Sequence, residues 1–261
     1  MTSCLAGPRR PPVSSRRFDP NGRTELAEPK RVAVLASGGG TNLQSLLDRF
    51  NAGESPDVRV ELVVGSRAGI GALERAERAG VTAVVLSVKE MGAEAYTAAL
   101  LAELERHRTD LVVLAGFLQL VPVAVVERYE GRMINVHPAL LPAFGGAGMY
   151  GIRVHRAVIE SGACISGATV HRVSEEYDSG AILAQWPVPV LAGDTPEALA
   201  ARVLAVEHRL LPLVVEALAR GEAPQMQSIG DPVAFDLVPR AHPADESIRG
   251  LFVFGGIAAD G

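Results

Sequence analysis

Cysteine is scarce in this chain. There are two in 261 residues, Cys4 and Cys164, and Cys4 lies in an N-terminal stretch without apolar periodicity. A disulfide framework is excluded on that count, and a reducing compartment, the cytoplasm, is the expectation. The two cysteines are no metal pair and no set of histidines has zinc spacing, so no metal is expected. Long apolar runs are also missing. None approaches the roughly 20 residues that cross a bilayer, and no membrane partner is expected. Basic residues are not in excess: 25 Lys and Arg stand against 30 Asp and Glu, for a net charge of -5 and a pI near 5.7. That argues against a nucleic-acid partner but leaves room for a local pocket that takes a small anion. Aromatics make up only 5%, yet 48% of the chain is hydrophobic, enough for a sizeable core. Nothing in the sequence decides between a monomer and a homodimer.

What is present divides the chain in three. Residues 1–30 are rich in Pro, Arg and Ser and read as a disordered extension; Asp19, Glu25 and Glu28 speak against a transit peptide. Residues 223–261 lose regular pattern and carry an apolar patch at 251–254. Between them, residues 31–222 read as one catalytic domain. Strands are expected over 31–36, 58–65, 83–86, 110–115 and 133–136. Helices are expected between them, from Leu43 to Phe50 and over 71–79, 93–107 and 122–129. This alternation predicts an α/β fold with a Rossmann-like, mostly parallel sheet flanked by helices. After Pro142 the pattern changes to a glycine-rich loop, a helix over 153–160, and strands over 169–173 and 182–190. Pro187 and Pro189 mark the last of these as an edge strand or a bulge. A long amphipathic helix then opens at Thr195-Pro196, with Leu199, Val203, Val206, Leu210 and Leu213 on its apolar stripe.

Three segments can carry chemistry. Asn135 and His137 stand two apart at a strand end, so both side chains project to one side and can aim at one small target such as a carbonyl oxygen. Pro138 and Pro142 then stop regular structure and force a defined loop. Residues 37–42 form a glycine loop between strand and helix, where backbone N–H groups and the helix dipole suit one phosphate. The glycine spacing is not that of a dinucleotide site. Asp178 lies in an acidic turn between two strands. Alone it is a solvated carboxylate; beside His137 it would hold the imidazole charged. His171, mid-strand, reads as a satisfied half-buried residue, and His155 as an ordinary helix residue.

Several segments in one order carry a resemblance: the 37–44 loop, Leu114-Ala115-Gly116-Phe117, residues 135–142, Tyr177-Asp178-Ser179-Gly180, and Val188-Pro189-Val190 followed by Gly193-Asp194. Over roughly residues 31–221 the chain resembles the glycinamide ribonucleotide transformylases, folate-dependent phosphoribosylglycinamide formyltransferases of purine synthesis. The resemblance implies a formyltransferase fold and transfer of the formyl group of 10-formyltetrahydrofolate, a cosubstrate, to the amine of glycinamide ribonucleotide. It implies Asn135, His137 and Asp178 as the catalytic group. Gly40, Thr41 and Asn42 match the phosphate positions, and Glu207 a glutamate that contacts the ribonucleotide. Phe117, Leu118, Gln119, Leu120 and Val121 fall on the folate pocket wall, with Tyr177, Ser179 and Gly180 on the loop beside the pterin. Gln119 and Ala93 stand where members have arginine, Ala181 where proline is usual, and the loop at 145–154 is longer. Two other folate formyl enzymes share the Asn-x-His-Pro core. A basic C-terminal domain, as in a methionyl-tRNA formyltransferase, or a preceding regulatory domain, as in a formyltetrahydrofolate hydrolase, is not expected.

Overall fold

The computed structural model describes residues 28–53 and 55–221, with the backbone of three further pairs, 17–18, 24–25 and 253–254. The extensions expected at 1–30 and 223–261 lie otherwise outside the described residues, apart from the stretch 28–30. The elements run β1 (Lys30–Ala36), α1 (Thr41–Phe50), β2 (Val58–Gly65), α2 (Gly71–Arg78), β3 (Thr82–Val85), α3 (Val88–Met91), α4 (Ala93–Arg106) and β4 (Leu111–Leu114). They continue α5 (Val123–Arg128), β5 (Met133–His137), α6 (Ile152–Glu160), β6 (Ile165–Arg172), β7 (Ile182–Pro189) and α7 (Pro196–Ala219).

The seven strands form one sheet in the order β7-β6-β5-β4-β1-β2-β3. β1 pairs parallel with β2 and β4, and β3 and β5 extend the parallel part outward. β6 and β7 are antiparallel. The two-residue strand Val253–Phe254 adds to the free edge of β7 at Gln185 and Ala184, short of Pro187. Prolines belong at such an edge, where no ladder donor is needed. The strand expected at 169–173 is longer, Ile165–Arg172, and α3 was not anticipated.

β1 is buried on both sides because it is central and parallel. Val32 and Val34 face one core with Leu43, Leu46 and Phe50 of α1 and the α7 face. Ala33 and Leu35 face the other, with Tyr96, Leu100 and Leu104 of α4. Strand order reverses between β1 and β4, and in open α/β sheets the carboxyl ends of the strands at such a switch point are where a ligand crevice is expected. Residues 37–42, 115–121 and 138–146 all leave parallel strands at this end of the sheet.

Candidate active site

The candidate phosphate side is built first by packing. Gly40 is the N-cap of α1, with φ +74, and no side chain caps the helix. A Cβ at Gly40 would stand 2.6 Å from Ala72 Cα, so only glycine allows α1 and α2 this close. The first turn of α1 thus presents uncapped N–H groups at the crevice, a ready anion site. Thr41 is exposed there. Asn42 Nδ2 donates to Glu207 Oε2 at 2.8 Å, joining α1 to α7. Glu207 is buried, which lifts its pKa to about 7 although the Asn42 bond opposes the rise. Asn42 Oδ1 is buried with no hydrogen-bond partner among the described residues.

The catalytic candidates meet two strands along the sheet, at the end of β5. Asn135 and His137 share one side of β5, as the i, i+2 spacing requires. Asp178 reaches them from the turn between β6 and β7, holding φ +54. Its Oδ1 accepts from Asn135 Nδ2 at 3.3 Å, and Oδ2 accepts from the Gly146 N–H at 2.9 Å and lies 3.4 Å from His137 Nδ1. His137 Nε2 is 2.8 Å from the Phe144 carbonyl oxygen. A carbonyl can only accept, so Nε2 carries the proton. Burial lowers the pKa of His137, against the Asp178 charge and the Phe144 bond. The Asp178 carboxylate thus favours the charged form of His137, as expected from the sequence, and burial works against it. Nε2–H points at the Phe144 carbonyl, while Nδ1 faces the Asp178 carboxylate. Burial also works to raise the Asp178 carboxyl, but His171, His137 and the Gly146 N–H together hold it below its ordinary value.

Two histidines that seemed ordinary in the sequence belong here. His171 is buried, with Nδ1 donating to the Arg172 carbonyl at 2.8 Å and Nε2 3.0 Å from Asn135 Nδ2. It lies opposite Asn135 because β6 pairs with β5 in the register Asn135↔His171. His155 of α6 is buried near enough to His137 for the two to repel. Burial first, and that repulsion second, lower its pKa to about 4.

The expected folate wall divides. Leu118 and Leu120 are exposed beside the crevice, but the side chains of Phe117 and Val121 lie in the core with Tyr129 and Met133. Gln119 Oε1 is buried without a partner among the described residues, an acceptor suited to a heterocycle N–H. Tyr177 is exposed, and Ser179 Oγ is 2.7 Å from Ser174 Oγ. A Cβ at Gly180 would collide with the Arg172 carbonyl, so glycine there lets the turn lie against β6. No group of side chains suited to a metal occurs among the described residues, and no helix there is long and apolar enough to cross a membrane.

The class of protein that carries this fold and this Asn–His–Asp cluster is a formyl transferase: residues 30–215 match the family of that description. The chain is 44% identical over 200 residues to the chloroplastic phosphoribosylglycinamide formyltransferase of Arabidopsis thaliana, covering 76% of this chain and 68% of that protein. It is 35% identical over 216 residues to the phosphoribosylglycinamide formyltransferase of Escherichia coli (strain K12), covering 82% of this chain and 99% of that protein. Glycinamide ribonucleotide transformylase 1 from Symbiobacterium toebii, a crystal structure, shares the fold with a TM-score of 0.70 at 41% identity, over 75% of this chain and 90% of that one. The chain belongs to the phosphoribosylglycinamide formyltransferase family.

Proposed function

We propose how this chain performs its family's reaction in purine biosynthesis, with glycinamide ribonucleotide as acceptor and 10-formyltetrahydrofolate as formyl donor. The convergence of Asn135, His137 and Asp178 within hydrogen-bonding range, next to the open N-terminus of α1, carries this reading. The ribonucleotide phosphate sits on the first-turn N–H groups of Gly40 to Asn42, and Glu207 with Asn42 holds the sugar. The folate lies against Leu118, Gln119 and Leu120, with the turn at 177–180 beside its pterin. The acceptor amine attacks the formyl carbon, the carbonyl oxygen becomes an oxyanion, and the bond from carbon to folate N10 then breaks. His137 Nε2–H and the Asn135 amide donate to that oxyanion, as preorganised donors do. Both donors are engaged at rest, His137 with Phe144 and Asn135 with Asp178 and His171, so the substrate oxygen has to displace those contacts. The amine gives up a proton as N10 gains one. Asp178, held ionised by its neighbours, stabilises the imidazolium that forms if His137 carries that proton. Phosphate and folate contacts hold the amine and formyl carbon together, which replaces a bimolecular encounter by proximity.

We place the reaction in the cytoplasm, without a metal and without a nucleic-acid partner. The test is formyl transfer from 10-formyltetrahydrofolate to glycinamide ribonucleotide by the purified chain. Transfer that disappears in Asn135→Ala and His137→Ala protein supports the assignment. Hydrolysis of the folate without acceptor at a comparable rate, or formylation of charged initiator tRNA, with the ribonucleotide inert, would overturn it.

A further inference from the structure

Ser37 lies outside the reacting group, yet it touches both halves of the crevice. It follows β1, three residues before Gly40, and is buried. Its N–H donates to the Gly116 carbonyl at 3.1 Å, and its Oγ accepts from the Leu118 N–H at 3.1 Å. The Ser66 hydroxyl donates to the same oxygen at 2.9 Å, while the Ser66 N–H donates to the Ala36 carbonyl at 3.0 Å. The loop that follows is fixed from its other side, because the Gly38 carbonyl accepts from the Ala72 N–H and the Gly39 carbonyl from Arg75 Nε at 2.8 Å. Gly116, at φ +69, turns the chain so that Leu118 comes back to Ser37. Beyond the backbone bond to Gly116, the Ser37 hydroxyl is therefore the buried side-chain link between the loop that begins α1 and the segment that bears the exposed Leu118 and Leu120.

We propose that Ser37 is a positioning residue that couples ribonucleotide binding to folate binding. The inference rests on the assignment of residues 40–42 to the phosphate and of 118–120 to the folate. The physical basis is ordering. A ligand that fixes one loop also fixes, through Ser37, the loop that the second ligand must order, so the second binds at lower cost. Coupling between sites is commonly about 5- to 150-fold in affinity, and by linkage each ligand tightens the other by the same factor.

Titration calorimetry with glycinamide ribonucleotide and 5,8-dideazafolate, which has no formyl group to transfer, tests this directly. In the unaltered chain the ribonucleotide should tighten the folate analogue by about 5-fold or more. Ser37→Ala should bring that factor close to one, with both ligands still binding singly. Ser37→Thr keeps the hydroxyl and should restore the coupling, and Ser66→Ala, which leaves the Ser37 oxygen facing Leu118, should keep most of it. Absence of coupling in the unaltered chain, or full coupling in Ser37→Ala, overturns the inference. If Ser37→Ala does not fold, Ser37→Cys, a weaker acceptor of similar size, replaces it with the same expected loss and the same overturning result. Asn42→Ala separates the underlying assignment: ribonucleotide binding that is indifferent to it means that the phosphate loop is misplaced, whereas binding weakened by it with coupling retained in Ser37→Ala means that only the inference is wrong.

Discussion

Asp178 meets Asn135, His137, His171 and the Gly146 N–H within 3.5 Å, more company than a solvated acidic turn would have. Replacing it with Asn keeps the shape and removes the charge. The kcat of Asp178→Asn should fall by about 10²-fold or more, comparable to loss of an oxyanion donor. The direction of the titration is also fixed. Burial already lowers the pKa of His137 and Asp178 opposes that, so His137 in Asp178→Asn should titrate at still lower pH. NMR titration of the ring checks this, and an unmoved or raised value would remove Asp178 from the mechanism. His171→Ala should lower kcat less than His137→Ala does, because it acts by orienting the Asn135 amide. Asn135 and His137 were legible because two-residue spacing fixes which side a strand side chain takes. His171 was not, since its place opposite Asn135 depends on the β5–β6 register, which one strand's sequence does not contain. His155 was missed for a similar reason: it approaches His137 through tertiary packing.

The loop after His137 is held by one strand residue of β6. Thr169 is fully buried. Its Oγ1 donates to the Ala139 carbonyl at 2.6 Å and accepts from the Leu141 N–H and from Gln185 Nε2, each at 3.0 Å. Thr169→Val keeps the volume but leaves the Leu141 N–H unpaired. Denaturant unfolding should show a loss of about 1–3 kcal/mol, the cost of a buried donor left unmade. The loop proposed for the phosphate needs a different probe. Gly40 is required by its positive φ and by Ala72, so enlarging it would unfold the α1–α2 contact whatever binds there. Asn42→Ala should instead raise KM for the ribonucleotide and leave folate binding nearly unchanged; the opposite pattern would show the loop misassigned. Apolar periodicity located β1 to β5 and their helices well, because central parallel strands are short runs of Val and Leu. It served α7 less well. The stripe at Leu199, Val203, Val206 and Leu210 is buried as expected, but Leu213 is 40% exposed, and Leu211, Val214 and Val215 are buried instead. The second half of α7 buries a wider face than one stripe describes.

For the whole molecule, acid stability is a contest between buried groups of opposite sign. His155 has its pKa lowered from 6.5 to about 4, so the unfolded chain takes up a proton in that window that the folded one refuses. Its contribution falls by about 3 kcal/mol as pH drops from 6.5 to 4. Glu207 runs the other way: raised from 4.5 to about 7, it keeps a proton in the folded chain that the unfolded one releases, so its contribution grows as pH falls. These two act in opposite directions, and His137 and His208, both lowered by burial, act in the same direction as His155. The drop in Tm from pH 7 to pH 5 should be larger in Glu207→Gln and smaller in His155→Gln than in the unaltered chain; equal drops in all three would refute the balance. Glu207 has a second consequence, which concerns time. The Asn42–Glu207 hydrogen bond joins residues 165 apart in sequence, and α7 is the last long element of the described chain. A growing chain on the ribosome can assemble β1, the loop at 37–42 and even Asn135 with His137, yet Asn42 lacks its Glu207 partner until α7 has emerged and docked. The Asn42–Glu207 bond is therefore a late event in the life of each new molecule, and it reports that β1, α1 and α7 have come together.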